Sequence, residues 1–193
     1  MLHKFRVLPR VFLLLLAIAS ALAHAQDERE LTEEARKQYA DGLKEAAAAV
    51  GNKQYESAEQ KLAGLLVQRP REPRARFLKG VVEADQGHVD AAMTAFRGLI
   101  EDYPELPEPY NNLAVLLAQR GEYDNAKVAL ETAIRTAPDW SVPHENLGDI
   151  YARLAALEYG RAAKLDKTNK TAPAKLALVR DLLASAAPPK PKT

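Results

Sequence analysis

Few side chains in this sequence are of types suited to catalysis or metal binding, and their spacing does not bring them together. Of the four histidines, His3 and His24 fall early in the chain, which leaves His88 in a turn and His144 at the start of a distant helical run. There is no cysteine, so neither a thiolate nucleophile nor a paired-cysteine zinc site can form. No HExxH, no GxSxG and no glycine-rich phosphate cradle occurs. A metal site from His144 and Asp149 fails because residues five apart on a helix point in different directions. The carboxylates read as solvated helix faces. The sequence therefore predicts no enzyme, no metal and no cofactor. Recognition remains as the open class of function.

The elements that must position any recognition residues are copies of one unit. Stepping back by 34 residues turns Ala126 into Ala92 and Ala58, and Leu130 into Phe96 and Leu62. The same step turns Ala133 into Leu99 and Leu65, and Pro138 into Pro104 and Pro70. A period of this length marks a stack of helix–turn–helix units. Small residues at Gly80, Ala114, Ala58, Ala92 and Ala126 let two antiparallel helices approach. Leu113 with Leu117, and Leu130 with Ile134, give each helix an apolar stripe. Gly87 and Gly121 end the first helices, where positive φ is wanted, and Pro70, Pro104 and Pro138 stop the second.

This pattern resembles the tetratricopeptide repeat family. Pro107–Trp140 matches nearly throughout, and Pro73–Leu106 matches well but places Arg76 and Lys79 where the family has apolar residues. The resemblance implies an all-α, right-handed solenoid over residues 26–185, with repeats at about 37–72, 73–106 and 107–140, a shortened fourth at 141–169, and a capping helix at 172–185. It also implies that the first helices line a concave groove. Arg74, Phe77, Leu78, Val81 and Asp85 fall there in repeat two, and Glu108, Asn111, Asn112, Val115 and Gln119 in repeat three. Glu145, Asn146 and Asp149 fall there in repeat four. Asn112 and Asn146 occupy the same place in their repeats, and some peptide-binding members use an Asn there to hold the backbone of an extended peptide, because one amide can donate and accept at once. The family's clamp for a C-terminal carboxylate is absent, since Leu43 and Ala47 stand where it needs Lys and Asn.

The fourth repeat departs from the period. Tyr151 and Tyr159 stand eight apart where the period calls for thirteen, and the missing residues are the glycine-containing turn. The stripe Leu147, Tyr151, Leu154, Ala155, Tyr159 and Ala162 predicts one continuous helix over about 143–164. An N-terminal helix is expected over Asp27–Val50, and Gly51–Gln54 is an unorthodox turn, with its glycine too far ahead of Tyr55.

The first 25 residues read as a signal peptide, with Lys4, Arg6 and Arg10 ahead of an apolar run at Val11–Leu22 and Ala23-His24-Ala25 as the cleavage pattern. Cleavage there leaves 24 basic residues against 26 acids and a periplasmic or secreted chain beginning at Gln26. A run this short does not span a membrane, so no stable membrane insertion of the mature chain is expected. The near-neutral charge gives no reason to expect nucleic acid. Pro188–Thr193 should form an extended tail. The expected function is a periplasmic adaptor or scaffold binding a protein or peptide. The alternative is a self-associating envelope subunit that docks through its N-terminal helix or shortened fourth repeat.

Overall fold

The computed structural model describes residues 33–185, where all regular structure is helical. Eight helices follow one another: α1 (Glu33–Gly51), α2 (Tyr55–Gln68), α3 (Pro73–Asp85), α4 (Val89–Asp102), α5 (Pro107–Gln119), α6 (Tyr123–Thr136), α7 (Ser141–Leu165) and α8 (Thr171–Ser185). The expected signal segment, the start of the N-terminal helix and the proline-rich tail lie outside the described residues. The chain divides into two units between Gly42 and Leu43. In the first, the described residues are one helical run in which Arg36 pairs with Glu33 at 3.0 Å. The second holds the repeats.

Within that unit the helices pack pairwise in sequence, α3 with α4, α5 with α6 and α7 with α8. The small residues sit at the closest crossings, and Ala58, Ala92 and Ala126 are each fully buried. Gly80 lies against the Phe96 ring, where an added Cβ would come within 2.8 Å of Cε1. Pro73 and Pro107 open α3 and α5 at positions where a missing N–H costs nothing. The second helices close alike: the N–H groups of Arg69, Tyr103 and Ala137 bond the carbonyls of Leu65, Leu99 and Ala133, and a proline follows each.

The turns keep the period more strictly than the glycines do. Gly87 (φ +82°) and Gly121 (φ +77°) take left-handed backbone as expected. In the first repeat that conformation falls to Lys53 (φ +57°), 34 residues before Gly87, while Gly51 remains helical. The unorthodox turn is thus an ordinary one built with a costlier residue, since left-handed backbone strains any side chain bearing a Cβ.

Arg76 replaces an apolar residue by making its own partners. Its guanidinium pairs with Asp102 at 2.5 Å and lies 5.9 Å from the centroid of the Tyr103 ring. The Tyr103 hydroxyl donates to the Arg71 carbonyl. Lys79 is exposed.

Helix α7 is unbroken over 25 residues. Not all of its expected stripe is buried: Tyr151 is 52% exposed, whereas Leu117, at the equivalent place one repeat earlier, is 4% exposed. The missing turn is the physical reason, because no second helix folds back over Tyr151 as α6 does over Leu117. Helix α8 packs on α7 instead. Its start is fixed by Asn169, whose side-chain oxygen accepts from the N–H groups of Thr171 and Ala172, both at 3.0 Å.

Candidate functional site

A cleft of about 650 Å³ lies along the N-terminal ends of the first helices. Pro73, Phe77 and Leu78 of α3 and Pro109 of α5 wall it, together with Leu106 and Trp140, while Arg74 and Glu108 stand exposed at its edge. Leu106 and Trp140 are the residues immediately before α5 and α7, and Glu72 is their counterpart before α3. Glu72 caps its helix in the usual way, its carboxylate accepting from the Ala75 N–H at 2.6 Å. Leu106 and Trp140 make no capping hydrogen bond. Capping side chains contribute roughly 0.5–2 kcal/mol each, so these two places forgo that stabilisation and supply apolar wall to the cleft.

A narrower crevice runs between α5 and α7, lined by Val115, Asn146, Asp149 and Arg153 among others. Burial pushes the Asp149 carboxyl above its usual range; Arg153 opposes the shift and Glu145 adds to it. The Arg153 guanidinium is held 6.0 Å from the centroid of the Tyr123 ring.

The structure does not bring the expected groove residues together on one surface. Arg74, Phe77 and Glu108 line the cleft, and Val115, Asn146 and Asp149 line the crevice. Gln119 and Glu145 are exposed, and Val81 is 1% exposed inside the core. The amides are a correction. Asn111, Asn112 and Asn146 were expected to face a ligand, but they are 0%, 2% and 7% exposed. Asn146 donates through Nδ2 to Asn111 Oδ1 at 2.8 Å, and Asn112 donates to the Glu108 carbonyl at 2.9 Å. The reason is that α5 touches α3, α4, α6 and α7 and is buried over every residue from Asn111 to Leu117. It has no open amide face to offer. Phe77 stands one repeat before Asn111, so Asn112 lacks the amide neighbour that Asn146 has, and its Oδ1 finds no partner.

The sequence reading missed Trp140, Leu106 and Arg153. A signal for the first two was present, since both are large apolar residues where a helix favours a capping one. Among the described residues, no group of three His, Cys, Asp or Glu side chains could hold a metal ion. No helix among them is long and apolar enough to cross a membrane.

A family model described as tetratricopeptide repeat matches residues 83–154, from the end of α3 into α7. No curated protein matches the chain significantly. Solved structures share the fold. MamA (residues 41 to the end) from Desulfovibrio magneticus RS-1 superimposes with a TM-score of 0.52 at 18% identity, over 76% of this chain and 76% of that one. A tetratricopeptide repeat protein from Parabacteroides merdae ATCC 43184 gives 0.53 at 16% identity, over 77% of this chain and 61% of that one. The structure of Naa15/Naa10 bound to HypK-THB gives 0.55 at 14% identity, over 76% of this chain, which spans only 23% of the length of that one. The cleft and the crevice are both lined by first helices of successive helix pairs, the cleft by α3 and α5 and the crevice by α5 and α7.

Proposed function

We propose that this chain is a non-catalytic, exported scaffold that binds a segment of a protein partner on its concave tetratricopeptide face, in the periplasm. Tetratricopeptide repeat domains are in general protein–protein interaction scaffolds, and the fold here supplies their framework. The observation that carries the reading is the cleft. Two helix starts give up capping side chains so that Leu106 and Trp140 wall an open apolar cavity beside two charged groups. Export is supported by the charged start, the apolar run and Ala23-His24-Ala25. N-terminal mass spectrometry of the processed protein should read Gln26, and an intact Met1 form in membranes would refute export.

The binding reading is tested by placing a photo-crosslinking residue at Glu145, on the concave face, or at Leu182, on α8. A partner captured from envelope extract at Glu145, with capture lost on Trp140→Asp, supports it. A second reading, docking of the shortened fourth repeat into a larger assembly, draws on Leu178 and Leu182, which are 70% and 58% exposed on α8. Capture at Leu182 alone would favour that reading and set aside the concave face.

A further inference from the structure

We infer that the cleft takes one bulky apolar side chain of an extended protein segment whose neighbouring residues carry opposite charges, an acid beside Arg74 and a base beside Glu108. The inference rests on the reading of the concave face as a protein-binding surface and deepens it. The walls set the anchor. Phe77, Leu78, Leu106, Pro73, Pro109 and Trp140 offer only apolar side chains, and the cavity of about 650 Å³ lies within the range of pockets that enclose ligands, roughly 300–1,000 Å³. Such a space admits an aromatic or large aliphatic side chain together with part of its backbone.

The edge sets the neighbours. Arg74 and Glu108 occupy equivalent places 34 residues apart, are both exposed, and have opposite signs. Among the described residues neither side chain has an ion-pair partner, although six such pairs form elsewhere. Two free, unlike charges flanking an apolar wall favour a segment of mixed charge and oppose one charged uniformly. Such complementarity acts on specificity more than on affinity.

Trp140 is the only tryptophan in the chain, so its emission reports on this cleft alone. The full chain is titrated with blocked heptapeptides centred on Phe and flanked by Asp and Lys, by two Asp or by two Lys, and with an Asp/Lys peptide carrying Ser in place of Phe. The mixed Phe peptide should bind best, each mismatched charge weakening it about two- to fivefold, the range for exposed ion pairs. The Ser peptide should leave Trp140 emission unchanged. In Arg74→Glu the preference should pass to the Lys/Lys peptide, and in Glu108→Lys to the Asp/Asp peptide. Both side chains are exposed, and circular dichroism checks that each variant folds as the wild type does.

Equal affinity for all the Phe peptides overturns the charge pairing, and an emission change with the Ser peptide overturns the anchor. A change on simple dilution, without peptide, makes the occupant a second copy and also overturns the inference. If no peptide reaches Trp140 while cross-linking from Glu145 still captures a partner, the anchor falls and the protein-binding reading stands. Silence in both assays removes both.

Discussion

Replacing Gly80 by Ala, alone and with Phe96→Leu, tests how the repeats are packed. In α3 a Cβ at this place would stand 2.8 Å from Phe96 Cε1 and 3.2 Å from Cδ1 and Cζ. Phe96 is fully buried, and its rigid ring cannot swing aside as the end of a flexible chain could. Overpacking of this kind costs about 1–3 kcal/mol, whereas Ala in a helix interior gains about 1 kcal/mol over Gly. Gly80→Ala should therefore lose up to about 2 kcal/mol. One repeat later the same crossing carries Ala114 opposite Leu130, both buried. The double change reproduces that pair, so it should be less damaging than the two single changes added together, by at least ~1 kcal/mol. Gly64→Ala is the control: it lies in α2 with nothing within 4 Å of an added Cβ, and should gain about 0.5–1 kcal/mol. Chemical denaturation followed by circular dichroism measures all four variants, fitted with neighbouring-repeat coupling because repeat arrays need not unfold in two states. Additivity within about 0.5 kcal/mol would refute the contact as the reason for glycine at this place.

Three further outcomes follow from the same structure. Asn146→Ala should cost about 1–3 kcal/mol in denaturation, because it leaves the buried Asn111 carbonyl without its donor; a neutral result would mean that water reaches Asn111. Asp149→Asn should raise the melting temperature near neutral pH. Burial raises the folded-state pKa of Asp149, so its ionised form opposes folding above that pKa and the penalty disappears as pH falls and the group is protonated; a benefit that grew on acidification would contradict this sign. Leu106→Asp should leave stability within about 1 kcal/mol, a new cap offsetting the lost burial of a half-buried Leu, while removing the response of Trp140 to the Phe peptides.

The packing of this chain was legible in its sequence because packing is what the repeat copies. Ala58, Ala92 and Ala126 recur for one reason, and all three are buried. The five-residue deficit between Tyr151 and Tyr159 correctly implied an unbroken α7. The orientation of the asparagines was not legible, since periodicity shows which residues share a face but not how many faces are covered. An isolated hairpin leaves one side of its first helix open. In α5, neighbours on both sides close that face and bury Asn111 and Asn112 together, although they point about 100° apart. Lys53 was not legible for the opposite reason: a glycine stands nearby at Gly51, yet the turn keeps its 34-residue register with a residue poorly suited to it.

What distinguishes this array from any other stack of helix pairs lies in the places where its copies disagree. Glu72, Leu106 and Trp140 share one structural role at the start of three successive first helices, yet only Glu72 fulfils it with a hydrogen bond. Arg74 and Glu108 share another place and differ in sign, and Phe77 and Asn111 share a third and differ in polarity. Folding alone would favour a capping residue at each helix start and gives no reason for unlike charges in an equivalent pair. Of these seven residues, all but Glu72 and Asn111 border one cleft: Arg74, Phe77, Leu106, Glu108 and Trp140. Local rules broken at several places, with the side chains converging on one cavity, are what the proposed occupant would account for. Mutation at residues 106 and 140 should therefore separate folding from the proposed binding, stability holding while recognition is lost.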